Sequence, residues 1–173
     1  MKRTVVAAIL GGLLAVAGVF FASKPSAMKM VATVHADGGA RCSLGAAAGN
    51  YGFTLTGTLV LPTGNVPVAG VGLVTIGADG SFSGTESRSI GGSIAQETIG
   101  AANKTVNSDC TSTLTAPVFE SGQVVRTSTF SLVFDDNASA FRAIQTSLVL
   151  PDGTSLPNVI TGSGTKLRTL SGE

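Results

Sequence analysis

The chain has 173 residues and a formal net charge of +1, with only 12% charged residues against 43% hydrophobic ones. So sparse and balanced a charge set excludes an ordinary nucleic-acid binder, which neutralises phosphates with clustered Lys and Arg.

The N-terminus comes first. Lys2 and Arg3 precede an unbroken apolar run from Val5 to Ala22, the pattern of a secretory signal peptide. The run also approaches the ~20 residues that cross a bilayer. Val34 and Ala36 form a small-residue cleavage pattern ahead of Asp37, whereas Pro25 spoils the alternative at Ala27. Residues 1–36 therefore read as a signal peptide, with an uncleaved anchor as the alternative. Residues 37–173 read as a single domain, secreted or periplasmic, with no stable membrane span after cleavage. That portion keeps seven of the eleven basic residues against ten acidic ones, and no histidine.

Cys42 and Cys110 are the only cysteines. An even, minimal count in an exported protein reads as one disulfide. It closes a loop of 67 intervening residues.

What recurs along the rest of the chain is period-two alternation between turn residues, the signature of strands. Strands are predicted over 51–61, 68–77, 81–90, 93–100, 104–116, 123–134, 140–150 and 158–167, with PVFESG as the connector after the fifth. Phe53, Leu55, Leu73, Phe130, Leu132 and Phe134 are the expected core. No connection is long enough for a crossover helix, so the sheet is antiparallel. The predicted fold class is all-β, an eight-stranded antiparallel up-and-down β-barrel, which leaves no open edge. A two-sheet β-sandwich is the alternative. Thr and Ser dominate the predicted outer face, and the absence of an aromatic girdle argues against lipid around it.

The stretch GAANKTVNSDCTSTLT resembles the G-x-Y-T-V-N-x-D-C-T-G-T-L pattern of uncharacterised bacterial secreted proteins. The likeness extends to Cys42 ahead of Tyr51-Gly52-Phe53, to Ala78-Asp79-Gly80 with Gly84, and to Ile144-Gln145-Thr146. Lys104 departs from it at a tyrosine position and Ser112 at a glycine. In architecture the chain looks like the calycin and allene-oxide-cyclase-like barrels. That resemblance implies an interior that holds or transforms apolar small molecules.

Most catalytic machinery is excluded. Without histidine in residues 37–173 there is no Ser-His-Asp or Cys-His arrangement there. GSGTK (162–166) lacks the first glycine and the helix of a phosphate loop and reads as a glycine-rich closing strand. Asp135-Asp136-Asn137 reads as a turn, since three adjacent side chains cannot all face one ion. Asn103-Lys104-Thr105 and Asn137-Ala138-Ser139 fit the glycosylation sequon, which a protein with a bacterial-looking leader leaves unmodified. No metal and no cofactor is expected.

The informative strand is SFSGTESRSI. Period-two geometry puts Glu86 and Arg88 on the face of Phe82 and Ile90. Arg126 shares a face with Val124, Phe130 and Phe134, and Gln145 shares one with Phe141 and Val149. Buried charges need partners, and an apolar cavity with a few polar groups describes a small-molecule site. Glu86, Arg88, Arg126, Gln145, Phe82, Phe130 and Phe134 are the candidate ligand-binding residues. Three functions follow: a secreted barrel binding an apolar small molecule, a cofactor-free cyclase or isomerase using the same pocket, and a structural or surface-assembly protein. A filled interior leaves only the third.

Overall fold

The computed structural model describes residues 42–168 except Asp136. The expected leader and its cleavage site lie outside these residues. A single turn of helix, α1 (Leu44–Ala47), leads into eight strands: β1 (Gly49–Leu61), β2 (Gly64–Ile76), β3 (Ser81–Ile90), β4 (Ser93–Asn103), β5 (Thr111–Glu120), β6 (Gln123–Phe134), β7 (Ala140–Val149) and β8 (Asn158–Lys166). All neighbours are antiparallel, and β8 pairs with β1 to close an up-and-down barrel. The links at 62–63, 91–92 and 121–122 are only two residues long, which suits antiparallel pairing of each strand with the next.

The strand boundaries differ in one place that matters. Residues 104–110, expected within a strand, form a looped connection in which Cys110 takes φ 68° and donates its amide to the Asn107 carbonyl. The expected connector residues Pro117–Glu120 instead belong to β5, and the chain turns at Ser121–Gly122. Pro117, which has no N–H to donate, sits just beyond the short β4–β5 pairing of residues 97–99 with 118–120. The Cys42–Cys110 disulfide is formed and fastens the segment before α1 to the 104–110 connection.

Inside the barrel are two apolar clusters. One gathers Tyr51, Phe82, Phe134 and Phe141, and the other Leu55, Leu59, Val68, Leu148 and Ile160. Leu73 is not in either: it is 53% exposed. On β2 the inward positions are Val68, Gly70, Gly72, Val74 and Ile76, so Leu73 falls on the outer face. A Cβ on Gly72 would lie 2.2 Å from the Thr85 carbonyl oxygen of β3 and 2.7 Å from the Phe53 ring of β1, so only glycine fits there. A continuous apolar run cannot reveal its own phase, and here the inner face is marked by glycine rather than by leucine.

Two bulges also change the expected faces. In β6, Val125 stands unopposed between Val124 and Arg126, so Val124 is exposed while Arg126 is buried. In β7, Thr146 is unopposed, so Leu148 rather than Val149 follows Gln145 inward. The outer face carries the expected Thr54, Thr56, Ser83 and Thr85, and also exposed Val71, Ile94, Val133, Ile144 and Val159.

Candidate functional site

The alternation of β3 is unbroken, and it carries Phe82, Glu86 and Arg88 into the barrel. The register irregularity near Gly84 is taken up by β4, where three residues span what two span on β3. The charges on an apolar face are thus buried charges: Glu86 is 5% exposed and Arg88 2%.

Glu86 faces Glu97 directly across the β3–β4 pair. Two like charges so placed repel, and Arg126 resolves the conflict. Its Nη2 donates to Glu86 Oε1 and to Glu97 Oε2, both at 2.6 Å, while Nη1 donates to Glu97 Oε1 at 2.5 Å. Arg88 is more weakly engaged, with Nη1 3.8 Å from Glu86 Oε1. Four donors or acceptors of the cluster have no protein partner among the described residues: Glu86 Oε2, Arg88 Nε, Arg88 Nη2 and Arg126 Nε. In Arg88 these two are the side-on edge of the guanidinium, the edge that meets a planar acceptor in a fork.

The environment separates the two carboxyls. Burial pushes Glu86 up to about 7, against the opposing charge of Arg126 and with a further upward push from Glu97. Burial acts upward on Glu97 too, but the hydrogen bonds and charge of Arg126 outweigh it and hold that group below the usual carboxylate range. Burial first, then the neighbouring Arg126, lowers Arg88 to about 10. One glutamate is a fixed anion, and the other is poised near neutrality.

Beside this cluster lies an apolar cavity of about 70 Å³. Phe53, Phe82, Phe130 and Phe141 supply much of its wall, and Glu86, Arg88 and Ser128 its polar part. A water takes roughly 10–15 Å³ of such space, so the cavity has room for about one six-membered ring.

Of the predicted site residues, Phe82, Glu86, Arg88 and Phe130 line this cavity. Arg126 and Gln145 are buried but stand outside its wall. Gln145 donates from Nε2 to Ser128 Oγ at 3.1 Å and to the Ser147 carbonyl at 3.2 Å. Phe134 packs edge-on against Tyr51 and Phe141. Two inward charged residues escaped the sequence reading. Glu97 lies two residues before Ile99 and shares its face, but the apolar Ile94, 75% exposed, points the alternation the other way. Lys104 lies in a connection where no periodicity applies, and it is also buried.

No family model and no curated protein matches the sequence. Among solved structures the chain is similar to one described as EF1p2_mFAP2b bound to DFHBI, at 11% identity and a TM-score of 0.45. The match covers 70% of this chain and 94% of that one. A likeness at this level says nothing of what this barrel holds.

Proposed function

We propose that the barrel interior binds a small apolar molecule, about one ring in size, that turns an oxygen acceptor toward Arg88. The observation that supports this is the apolar cavity lined in part by Arg88, whose Nε and Nη2 have no partner among the described residues. Sites of this kind combine apolar walls with a few placed polar groups. The protein acts outside the cytoplasm on this reading, and the Cys42–Cys110 disulfide supports that placement.

The test is binding of benzyl alcohol, followed by NMR on the methyl groups of Leu55, Val74 and Leu132, all of which line the cavity. Saturable shifts on these methyls are expected, with toluene at least tenfold weaker because it lacks the oxygen. Ala116→Leu, which fills the cavity from β5, abolishes both. Unchanged binding to that variant overturns the proposal.

Glu86 favours a second reading. Its Oε2 lacks a partner among the described residues, burial pushes its carboxyl up to about 7, and it lines the cavity. A group so poised suits proton transfer at neutral pH, as a cofactor-free isomerase requires. Protein-dependent exchange of the α-protons of cyclohexanone in D₂O, lost in Glu86→Gln, supports it. Exchange that persists in that variant removes it.

A further inference from the structure

Lys104 is a buried amine that the cavity's polar wall does not use. It follows β4, and its amide donates to the Gly80 carbonyl at 2.9 Å. The residue is 4% exposed, and Nζ has no hydrogen-bond partner among the described residues. Its neighbours are aromatic: Nζ lies 4.4 Å from the Phe134 ring centroid and 6.0 Å from that of Phe82. Phe82 is also part of the cavity wall. One ring is therefore shared by the amine and the cavity.

An ammonium in such a place keeps only the attraction of the ring faces. Burial accordingly lowers the lysine to about 8, so a sizeable share carries a lone pair near neutral pH. A desolvated lysine of this sort is a nucleophile toward carbonyl carbon. The hydroxyl of Tyr51, whose ring packs edge-on against Phe134, is already bound to the carbonyls of Ala47 at 2.8 Å and Ala138 at 2.6 Å. An imine is formed with loss of water and brings no oxygen into this apolar surrounding.

We infer that Lys104 is a covalent attachment site, at which Nζ condenses with an apolar aldehyde held in the barrel. The lone pair of Nζ adds to the carbonyl carbon, and the C=O pair moves to oxygen, which takes a proton from the nitrogen. The resulting carbinolamine loses its hydroxyl and the remaining N–H proton as water and forms C=N. Amine and aldehyde give imine and water, with no change of oxidation state. The inference rests on the cavity reading above, since the aldehyde must enter there.

The experiment uses benzaldehyde with sodium cyanoborohydride on the full disulfide-bonded chain at pH 7.5, with peptide mapping over time. Lys166, half-buried with Nζ bound to the Ala46 carbonyl, serves as the internal reference. Benzylation of Lys104 at least tenfold faster than of Lys166, and slowed by benzyl alcohol, is the expected result. Lys104→Arg keeps the charge and loses the fast labelling while still binding benzyl alcohol. Because the site is mapped in the unaltered protein, the outcome stands even if that variant fails to fold. Labelling of Lys104 no faster than Lys166 overturns the inference, and if benzyl alcohol still binds, the cavity reading survives it. Fast labelling that benzyl alcohol does not slow also overturns it, because the amine is then reached from outside the cavity.

Discussion

Arg126 grips Glu97 with both Nη atoms, although β6 and β4 are not neighbours in the barrel. Between them runs β5, whose pairing with β4 covers only three residues and begins at Glu97 itself. The ion pair therefore reinforces the shortest seam of the sheet from within. Arg126→Met should destabilise the fold by about 3–5 kcal/mol, because it strands two buried carboxyls. Adding Glu86→Gln and Glu97→Gln should recover most of that loss, as measured by urea denaturation. A single variant within 1 kcal/mol of the parent would show that the cluster holds nothing together.

At the far end of the same seam the chain relies on a covalent bond. Residues 104–110 leave the sheet, and Cys110 ties them to Cys42. Constraining a loop of this length in the unfolded chain contributes roughly 4 kcal/mol in the entropic account. The Cys42→Ser, Cys110→Ser double variant should lose 2–5 kcal/mol. Non-reducing intact mass should fall two hydrogens below the reduced value. Two titratable thiols in the native protein would sink the assignment.

Which parts of this were legible in the sequence follows from what alternation can encode. Strand number, direction and closure were readable, because turn residues punctuate the chain at short intervals. The inward course of Glu86 and Arg88 was readable too, because β3 has no extra residue. Val124 and Val149 were misplaced by bulges, which shift the phase without any residue that announces them. Leu73 was misplaced because glycines mark the inner face of β2. Glu97 stayed hidden because its partners reside on other strands, and pairing across a barrel leaves no local trace. Lys104 was visible only as a departure from a motif.

The glycine-rich closing strand holds a second close approach. A Cβ on Gly164 would lie 2.4 Å from two atoms of the Phe141 ring. Phe141 is the residue paired with Gly164 across β7 and β8, and its ring packs against Tyr51 and Phe134. Gly164→Ala should cost about 1–3 kcal/mol through overpacking. Combining it with Phe141→Leu should cost less than the sum of the two single changes, because the smaller side chain leaves room for the methyl. Additive costs in that cycle would separate the two residues.

The buried titratable groups predict a stability minimum near neutral pH. Glu86 titrates at about 7 in the fold against its ordinary 4.5. Between those values the folded chain holds a proton that the unfolded chain has released, so stability falls as pH rises through this window. Lys104 is shifted the other way, to about 8 from 10.5. There the unfolded chain binds the extra proton, and stability rises between about 8 and 10.5. Arg88, lowered to about 10, adds the same sign further up, while Tyr51, raised to about 12 by burial and by Asp135, opposes it above pH 10. Glu97, held low by Arg126, acts below the window, where its contribution is lost as pH falls. At 1.36 kcal/mol per unit, each limb is on the order of 1–3 kcal/mol. Urea midpoints measured from pH 5 to 10 should trace a trough between 7 and 8. Glu86→Gln should flatten the acid limb and Lys104→Met the alkaline limb, each leaving the other in place. A midpoint that climbs steadily from pH 5 to 7 in the unaltered protein would mean that Glu86 is ionised throughout, and the poised carboxyl would be lost with it.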